Sequence, residues 1–357
     1  MTFSPAPAAS PRAAARPRAV PPAVARVDVV VPTVGRSSLP DLVGVLCRAL
    51  PEDSDVVVVD DRDGDRPPLD VGPVGARLRV VRSDGRGPAA ARNAGWRASR
   101  APWVAFVDDD VDLPPDWVRE LIRDLREAPA DVAAVQGRVE VPLPPDRRPT
   151  DWERNVAGLD GAAWITADMA VRRPALAEVG GFDERFTRAY REDTDLALRL
   201  LDAGWRLQVG ERRVRHPVRP GPWWVSVALQ RGNADDVLLE RLHGRAWRER
   251  IDAAGDGTGP RRGAWHTYPL TSVLGAVAAL ALAAGRPRLA VAAGAAWAVR
   301  TGRFAWQRIG PGPRHPAEVA AMVATSAAIP PVACYHRARG LARWRVAPPR
   351  PAGRPKR

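Results

Sequence analysis

The sequence predicts an α/β fold built around a mostly parallel sheet that is flanked by helices. From Arg26 onward, short runs rich in β-branched residues alternate with longer helical stretches, as βαβ units do. The run at 56–59 is entirely apolar, which is typical of a strand that is buried on both faces. A chain of 357 residues with 45% hydrophobic residues can also form a sizeable core.

The elements are predicted in chain order from the spacing of apolar residues and from turn residues. We expect strands at 27–31, 56–59, 78–81, 103–107, 132–141 and 164–171, with two closing strands at 207–209 and 213–215. We expect helices at 38–50, over 88–95, from 117 to 125, from near Glu192, and over 225–243.

Composition divides the chain into five parts. Residues 1–25 are rich in Pro, Ala and Arg and lack the apolar segment of a signal peptide, so they are predicted to be a disordered tail. Residues 26–220 are the predicted α/β domain, and 221–260 a helical extension. Residues 261–345 are apolar, Ala-rich and predicted to form membrane-associated helices, and 346–357 are a basic tail.

The net charge of +13 is concentrated in the C-terminal third. After residue 260 the chain carries fifteen Arg and one Lys against a single acid, Glu318, and these charges flank apolar runs at 269–284, 289–299 and 319–334. The middle run is too short to cross a bilayer. This pattern suits an anionic membrane surface better than a nucleic-acid groove, with a soluble helical appendage as the alternative.

Four acids follow the fourth predicted strand within five positions: Asp108, Asp109, Asp110 and Asp112. Carboxylates packed this closely at the end of a buried strand are unfavourable unless a cation compensates their charge. Mg²⁺ or Mn²⁺ takes oxygen ligands and leaves positions for phosphate oxygens. The alternative is a solvated loop or a helix N-cap, an alternative that is strongest for Asp112.

A second acidic pair, Asp60 and Asp61, follows the second predicted strand. Ligands bind beyond the carboxyl ends of strands in open parallel sheets, so both acidic groups fall where a ligand is expected. A carboxylate there can accept hydrogen bonds from a nucleoside base or ribose. Taken alone, the pair could equally be turn residues.

A set of short motifs occurs in a fixed order along the chain. The motifs are Val-Val-Pro-Thr, Val-Val-Asp-Asp, Ala-Arg-Asn-Ala-Gly, Phe-Val-Asp-Asp-Asp, Gly-Gly-Phe-Asp and Arg-Glu-Asp-Thr-Asp-Leu. Over residues 27–220 the chain resembles a family 2 glycosyltransferase of GT-A fold, an inverting enzyme. The ordered set is much more specific than any one motif.

This resemblance implies roles for individual residues. The implied donor-binding residues are Pro32, Thr33, Asp60, Asp61, Arg92, Asp108 and Asp109, with Arg92 near the diphosphate and Asp109 partly a spacer. The implied metal ligands are Asp110, Asp108 and His216, where Asp108 and Asp110 form the Asp-x-Asp element. Asp193 is the implied general base, with Glu192 and Asp195 as the nearby alternatives.

The chain also departs from the family pattern. Arg86 lies where relatives often have an Asn and a Gly, so it is a candidate for a donor contact of its own. The polar segment 230–244 is expected near the acceptor. Gln230 and Arg231 do not reproduce the Gln-x-x-Arg-Trp motif of processive synthases, which favours transfer of a single sugar.

The resemblance implies a metal-dependent, hexosyltransferase-type enzyme that uses a UDP-, GDP- or dTDP-sugar. We expect the acceptor to be a hydroxyl of a glycan or lipid-linked molecule in cell-envelope synthesis, at the cytoplasmic face of the membrane. The rival functions are a sugar-phosphate nucleotidyltransferase and a non-enzymatic, membrane-tethered binding module. The first needs an N-terminal Gly-rich basic loop, of which Val34-Gly35-Arg36 is only a small fragment.

Overall fold

The computed structural model describes residues 26–72, 77–254 and 267–346, and its central feature is a seven-stranded sheet. The strands are β1 (Val27–Thr33), β2 (Val56–Asp60), β3 (Leu78–Arg82), β4 (Trp103–Val107), β5 (Val132–Glu140), β6 (Asp168–Arg172) and β7 (Arg206–Arg215). Their order across the sheet is β3-β2-β1-β4-β6-β5-β7.

The sheet is mostly parallel, as predicted. Strands β3, β2, β1 and β4 run parallel to one another, β6 is antiparallel to β4 and β5, and β5 pairs in parallel with β7. The carboxyl ends of β1, β2 and β4 therefore meet at one edge. Because β6 is reversed, its first residue, Asp168, pairs with Val107 at the end of β4.

Helices cover both faces of this sheet. They are α1 (Leu39–Ala49), α2 (Pro88–Ala98), α3 (Trp117–Glu127), α4 (Asp151–Ala157), α5 (Arg173–Val179), α6 (Glu192–Asp202), α7 (Val225–Ala228), α8 (Gly232–His243) and α9 (Trp247–Ala254). Buried residues of α1 and α3 pack on one face, and those of α2, α5 and α6 pack on the other. The buried strands are Val-rich because both faces are covered.

Three long helices form the C-terminal part: α10 (Tyr268–Ala283), α11 (Pro287–Ile309) and α12 (Pro316–Arg343). Helix α12 packs against α8, where Gly340 lies so close to Ala234 that a Cβ atom would be 2.9 Å from its Cα. Among the described residues, α12 is the one helix long and apolar enough to cross a membrane.

Several predicted boundaries were wrong. Residues 207–215 form one strand instead of two, because a β-bulge between Gln136 and Arg138 lets the β5–β7 ladder continue. The Asp124 carboxylate accepts the main-chain N–H groups of Glu211 and Arg212 at 3.1 and 3.4 Å in this irregular stretch.

The strand predicted at 164–171 begins only at Asp168, since Trp164 has a φ of 62° that no strand residue adopts. The helix predicted at 225–243 is interrupted by a tight turn at Leu229–Arg231, after which α8 begins at Gly232. The second and third apolar runs extend into the longer helices α11 and α12, because the Arg residues that bound them are good helix formers. The tail at 1–25 and residues 347–357 of the basic tail lie outside the described residues.

Candidate active site

A cavity of about 400 Å³ opens at the sheet edge where the carboxyl ends of β1, β2 and β4 meet. Its walls come from the ends of these strands, the first turns of α2 and α6, and the residue after β7. Nearly all of the residues predicted for the site line it. They are Pro32, Thr33, Asp61, Arg92, Asp108, Asp109, Asp110, Glu192, Asp193 and His216.

Asp109 is buried and fastens the loop after β1 to the end of β4. The Thr33 hydroxyl donates to its Oδ2 at 2.6 Å, and the Arg36 Nε donates to its Oδ1 at 2.8 Å. The Ser38 hydroxyl donates to its main-chain carbonyl at 2.6 Å. Burial raises the pKa of Asp109, although the Thr33 hydroxyl and the Arg36 charge oppose that shift.

Arg92 connects the acidic cluster of β4 to the first turn of α6. Its Nη2 donates to Asp108 Oδ1 and its Nη1 to Glu192 Oε1, both at 2.8 Å, and its side chain is only 3% exposed. Burial also raises the pKa of Asp108, against the opposing charge of Arg92. Arg92 therefore lines the cavity while its terminal nitrogens are held by two carboxylates.

Asp110 lies between three side chains that are more distant than hydrogen-bonded partners. His216 Nε2 is 3.6 Å from its Oδ1, and the nearest nitrogens of Arg36 and Arg219 are 3.9 and 3.7 Å from its Oδ2. No hydrogen bond to the Asp110 carboxylate occurs within the described part of the chain. Its oxygens are thus able to take a ligand in the cavity.

Glu192 and Asp193 begin α6, where acids are favoured by the partial positive charge of a helix N-terminus. Glu192 is 2% exposed, and its Oε2 is buried with no hydrogen-bond partner among the described residues. Burial, followed by the adjacent Asp193 charge, raises the pKa of Glu192 to about 8. Burial also raises the pKa of Asp193, whose Oδ1 accepts the Thr194 N–H at 2.6 Å.

Comparison with known proteins identifies the family. The family model described as glycosyl transferase family 2 matches residues 28–177. Validoxylamine A glucosyltransferase of Streptomyces hygroscopicus subsp. jinggangensis (strain 5008) is 30% identical over 289 residues, which cover 62% of this chain and 68% of that protein. The chain belongs to the family 2 glycosyltransferases. The GT-A resemblance noted from the ordered motifs is confirmed.

Two further proteins are similar to this chain. Succinoglycan biosynthesis protein ExoO of Rhizobium meliloti (strain 1021) is 36% identical over 119 residues, 32% of this chain. The chain spans about a third of that relative, 34% of its length. The solved mannosyltransferase PcManGT from Pyrobaculum calidifontis, in complex with GDP-Man and Mn²⁺, is 21% identical with a TM-score of 0.47, over 84% of this chain and 86% of that one.

The two acids at the end of β2 have different surroundings in this family member. Asp60 does not line the cavity, and Arg62 occupies both of its oxygens at 2.8 Å, which lowers the pKa of Asp60. Asp61 lines the cavity, and its Oδ1 accepts from the Ser83 hydroxyl at 2.7 Å. Of the pair, Asp61 is the acid with access to a bound ligand, and the donor-binding role of Asp60 stays a prediction.

Asp110 and His216 have the character of partial metal ligands. Among the described residues, no three His, Cys, Asp or Glu side chains converge into a preformed metal cluster. Asp110 and His216 nevertheless lie together, and His216 Nδ1 is buried without a hydrogen-bond partner in the same described set. Two protein ligands with positions left for phosphate oxygens and water fit a hard divalent cation such as Mg²⁺ or Mn²⁺.

Arg86 and Asp112, which the sequence also singled out, both have partners within the protein. Arg86 Nη1 donates to Glu184 Oε2 at 3.0 Å, and the donor contact of Arg86 stays a prediction. Asp112 does not cap a helix, since α3 follows Asp116. Instead, the main-chain N–H of Asp112 donates to the Arg215 carbonyl at 2.7 Å and forms a β-bridge.

The Gly-Gly-Phe-Asp motif is anchored by Asn93 of α2. Its Oδ1 accepts the Phe182 N–H at 2.9 Å, and its Nδ2 donates to the Phe182 carbonyl at 2.9 Å. Gly181 has a φ of +76°, and a Cβ there would lie 2.4 Å from Asn93 Oδ1, so glycine is required. This contact holds the turn between α5 and α6 in place.

Sequence reasoning missed the cations around Asp110. Arg36 and Arg219 follow the ends of β1 and β7, at the same edge of the sheet as the acids. Their position after strand ends was a usable signal. The abundance of Arg in this chain concealed it, because a single Arg among 54 basic residues does not stand out.

Proposed function

We propose that this protein is an inverting glycosyltransferase that moves a sugar from a nucleotide-sugar donor to a hydroxyl acceptor. The observation that carries the proposal is the convergence of acids from three separate chain segments on one cavity. Asp61 follows β2, Asp108 and Asp110 follow β4, and Asp193 lies in the first turn of α6. In open α/β sheets, this edge is where nucleotides bind.

The donor occupies the cavity with its nucleoside toward β1 and β2 and its diphosphate toward β4. Pro32, Thr33 and Asp61 line the first part, and Asp61 accepts hydrogen bonds from base or ribose. Arg36 and Arg219 add positive charge beside Asp110, where the diphosphate lies. Arg92 acts indirectly, because its guanidinium holds Asp108 and Glu192 in place.

Asp110 and His216, with Asp108 beside them, would hold Mg²⁺ or Mn²⁺ when the donor binds. A divalent ion at this point neutralises charge on the diphosphate leaving group. The protein contributes the fixed positions of these side chains, which the Asp109 hydrogen bonds to Thr33 and Arg36 secure.

Asp193 is the general base. A sugar hydroxyl is too weakly acidic to attack unaided, so a positioned carboxylate removes its proton as the new bond forms. The raised pKa of Asp193 makes it a stronger base than a solvated aspartate. The Glu192 Oε1 is held by Arg92 Nη1 at 2.8 Å and the residue is only 2% exposed, which favours Asp193 in this role.

The exposed apolar faces of the C-terminal helices support a membrane-surface location for this enzyme. A position at the cytoplasmic face and a glycan or lipid-linked acceptor for envelope synthesis belong to the same proposal. Helices α10 and α11 expose large apolar side chains, which mark interaction surfaces when they cluster. They are Leu270, Val273, Leu280, Leu282, Val291 and Val299. Helix α12 is tied to the rest of the protein by an Arg337–Glu240 ion pair at 2.7 Å, which favours peripheral attachment.

The proposal is tested with the purified full-length protein and a panel of UDP-, GDP- and dTDP-hexoses. We expect release of one nucleoside diphosphate in the presence of Mg²⁺ or Mn²⁺, and none with a chelator. Failure to hydrolyse or bind any member of the panel under either condition would count against the enzyme function and favour the membrane-tethered binding module.

A further inference from the structure

The residue immediately before the catalytic pair has a strained backbone conformation. Arg191 precedes Glu192 and has φ 76° and ψ −7°, in the left-handed region. In that region the Cβ of a non-glycine residue crowds the backbone, so other contacts must hold Arg191 there. Its carbonyl accepts the Asp195 N–H at 2.9 Å, the bond that closes the first turn of α6.

The Arg191 side chain supplies those contacts. Its Nε donates to Asp236 Oδ1 at 2.8 Å, and its Nη2 donates to the Tyr190 hydroxyl at 2.9 Å. The guanidinium carbon also lies 4.4 Å from the Tyr190 ring centre and 4.7 Å from that of Trp247. A planar guanidinium suits this combination of stacking and directed hydrogen bonding.

Asp236 lies on α8 and is itself held in place. Its Oδ2 accepts from Arg248 Nη2 at 3.3 Å, and its side chain is 12% exposed. Gly232 of α8 also packs on the Tyr190 ring, which holds α8 against the segment before α6. The packing is so close that a Cβ atom on Gly232 would lie 2.7 Å from Tyr190 Cε1. On its other side, α8 packs against α12.

We infer that Asp236 is a positioning residue: through Arg191, it holds the first turn of α6 so that Asp193 stays in place for proton removal. This inference rests on the proposed function. It assigns the polar segment 230–244 a role in holding the catalytic segment, where the sequence suggested only nearness to the acceptor. The loss of the Asp236 charge breaks its ion pair with Arg191 Nε and weakens the main anchor of the strained conformation.

A neighbouring ion pair provides a matched control. Asp235, on the same helix, pairs with Arg188, three residues before Arg191. Both Asp235 and Asp236 are acids on α8 that bind an Arg of the segment 188–191. Only the Asp236 pair includes Arg191, the N-cap residue immediately before α6. Asp235→Asn therefore has a similar chemical effect without reaching the α6 N-terminus directly.

The test compares Asp236→Asn with Asp235→Asn in the full-length protein by amide hydrogen exchange and by kinetics. We expect faster exchange of the Asp195 amide in Asp236→Asn only. With the nucleotide-sugar that the wild type hydrolyses, we expect kcat to fall about tenfold to a hundredfold with KM for the donor little changed. Asp236→Glu restores part of kcat, because a carboxylate is again present.

The variant Arg191→Gly distinguishes the contribution of the Arg191 side chain from that of its backbone conformation. Glycine adopts a φ of 76° without strain but has no guanidinium. We expect a smaller defect than in Asp236→Asn, because glycine keeps this conformation without an anchor. Adding Asp236→Asn to Arg191→Gly should cause no further loss, because the guanidinium that Asp236 holds is already absent. A full Asp236→Asn defect in the double variant, or equal exchange in the Asp235 and Asp236 variants, would overturn the inference. A wild type without hydrolysis contradicts the proposed function, while the exchange result still decides the positioning.

Discussion

The sheet edge and the C-terminal helices arrange their charged residues in opposite ways. At the sheet edge, acids from distant segments are buried, and arginines such as Arg92 hold them at 2.8 Å. In α10 and α11, apolar side chains are exposed, and Val291 and Val299 are 70% and 71% exposed. The first region is organised to bind a small, charged ligand, and the second to contact an apolar surface.

One buried arginine joins the C-terminal helices to the α/β domain that carries the sheet edge. Arg308 of α11 donates to Asp151 of α4 at 2.7 Å and to the hydroxyls of Thr325 and Ser326 at 2.8 and 3.0 Å. It also donates to the Ser226 hydroxyl at 3.0 Å. A polar junction of this kind fixes the orientation of the apolar helices relative to the sheet, since a buried charge requires all its partners.

The largest expected effect is confined to the sheet edge. Asp193→Asn keeps the size of the side chain and removes its basicity, so we expect transfer to fall roughly 10²- to 10⁴-fold. Donor binding should be preserved. Rates of nucleoside diphosphate release measure this directly, and Asp202→Asn, at the far end of α6, is the control. A rate within a few fold of wild type would show that another group takes the proton.

Breaking the junction between the regions should cost stability more than chemistry. Arg308→Met leaves Asp151 without its main partner, and we expect a loss of about 3 kcal/mol in the free energy of unfolding. Denaturant midpoints give this value. Arg303→Ala, an exposed change on the same helix, should stay within about 0.5 kcal/mol of wild type. Equal effects of the two substitutions would contradict a structural role for the junction.

Because the Glu192 carboxyl is buried, we expect the stability difference between Glu192→Gln and the wild type to depend on pH. The pKa of Glu192 is about 8 in the folded protein, whereas its ordinary value, which applies to the unfolded chain, is 4.5. The folded state therefore binds the proton more tightly, so the contribution of Glu192 to stability is complete below pH 4.5 and is lost as the pH rises toward 8. Glu192→Gln lacks this titration and can still accept from Arg92. We expect the variant to gain on wild type by about 1 kcal/mol per pH unit in this window. Melting temperatures that shift equally at pH 5 and pH 8 would contradict this assignment.

The smallest expected effect concerns the apolar surface. Val291→Glu should weaken binding to vesicles of phosphatidylcholine and anionic phosphatidylglycerol by about tenfold, because a charge replaces an exposed apolar side chain that the bound membrane would cover. Val80→Glu, an exposed valine on β3, is the matched control and should bind as wild type does. Co-sedimentation measures both, and loss in both variants would argue against a specific surface.

The sheet and most of the site could be predicted because strong local signals coincide there. Runs such as 56–59 can be buried only in a sheet covered on both faces, and parallel strands carry the acids that follow them to one edge. The contacts of Asp60 with Arg62 and of Arg191 with Asp236 could not be predicted, because they depend on loop geometry and on helix packing. Which faces of α10 and α11 are exposed could not be predicted either, because the apolar runs of these helices are apolar almost all round.

The most direct test of the central claim is calorimetric donor binding to the wild type, Asp193→Asn and Asp110→Ala, each with Mn²⁺ and with a chelator. We expect metal-dependent binding that is retained in Asp193→Asn and lost in Asp110→Ala, because in the proposed mechanism Asp110 and His216 hold the ion and Asp193 acts on the acceptor. Equal loss of binding in both variants, or binding in Asp110→Ala that still depends on Mn²⁺, would contradict it.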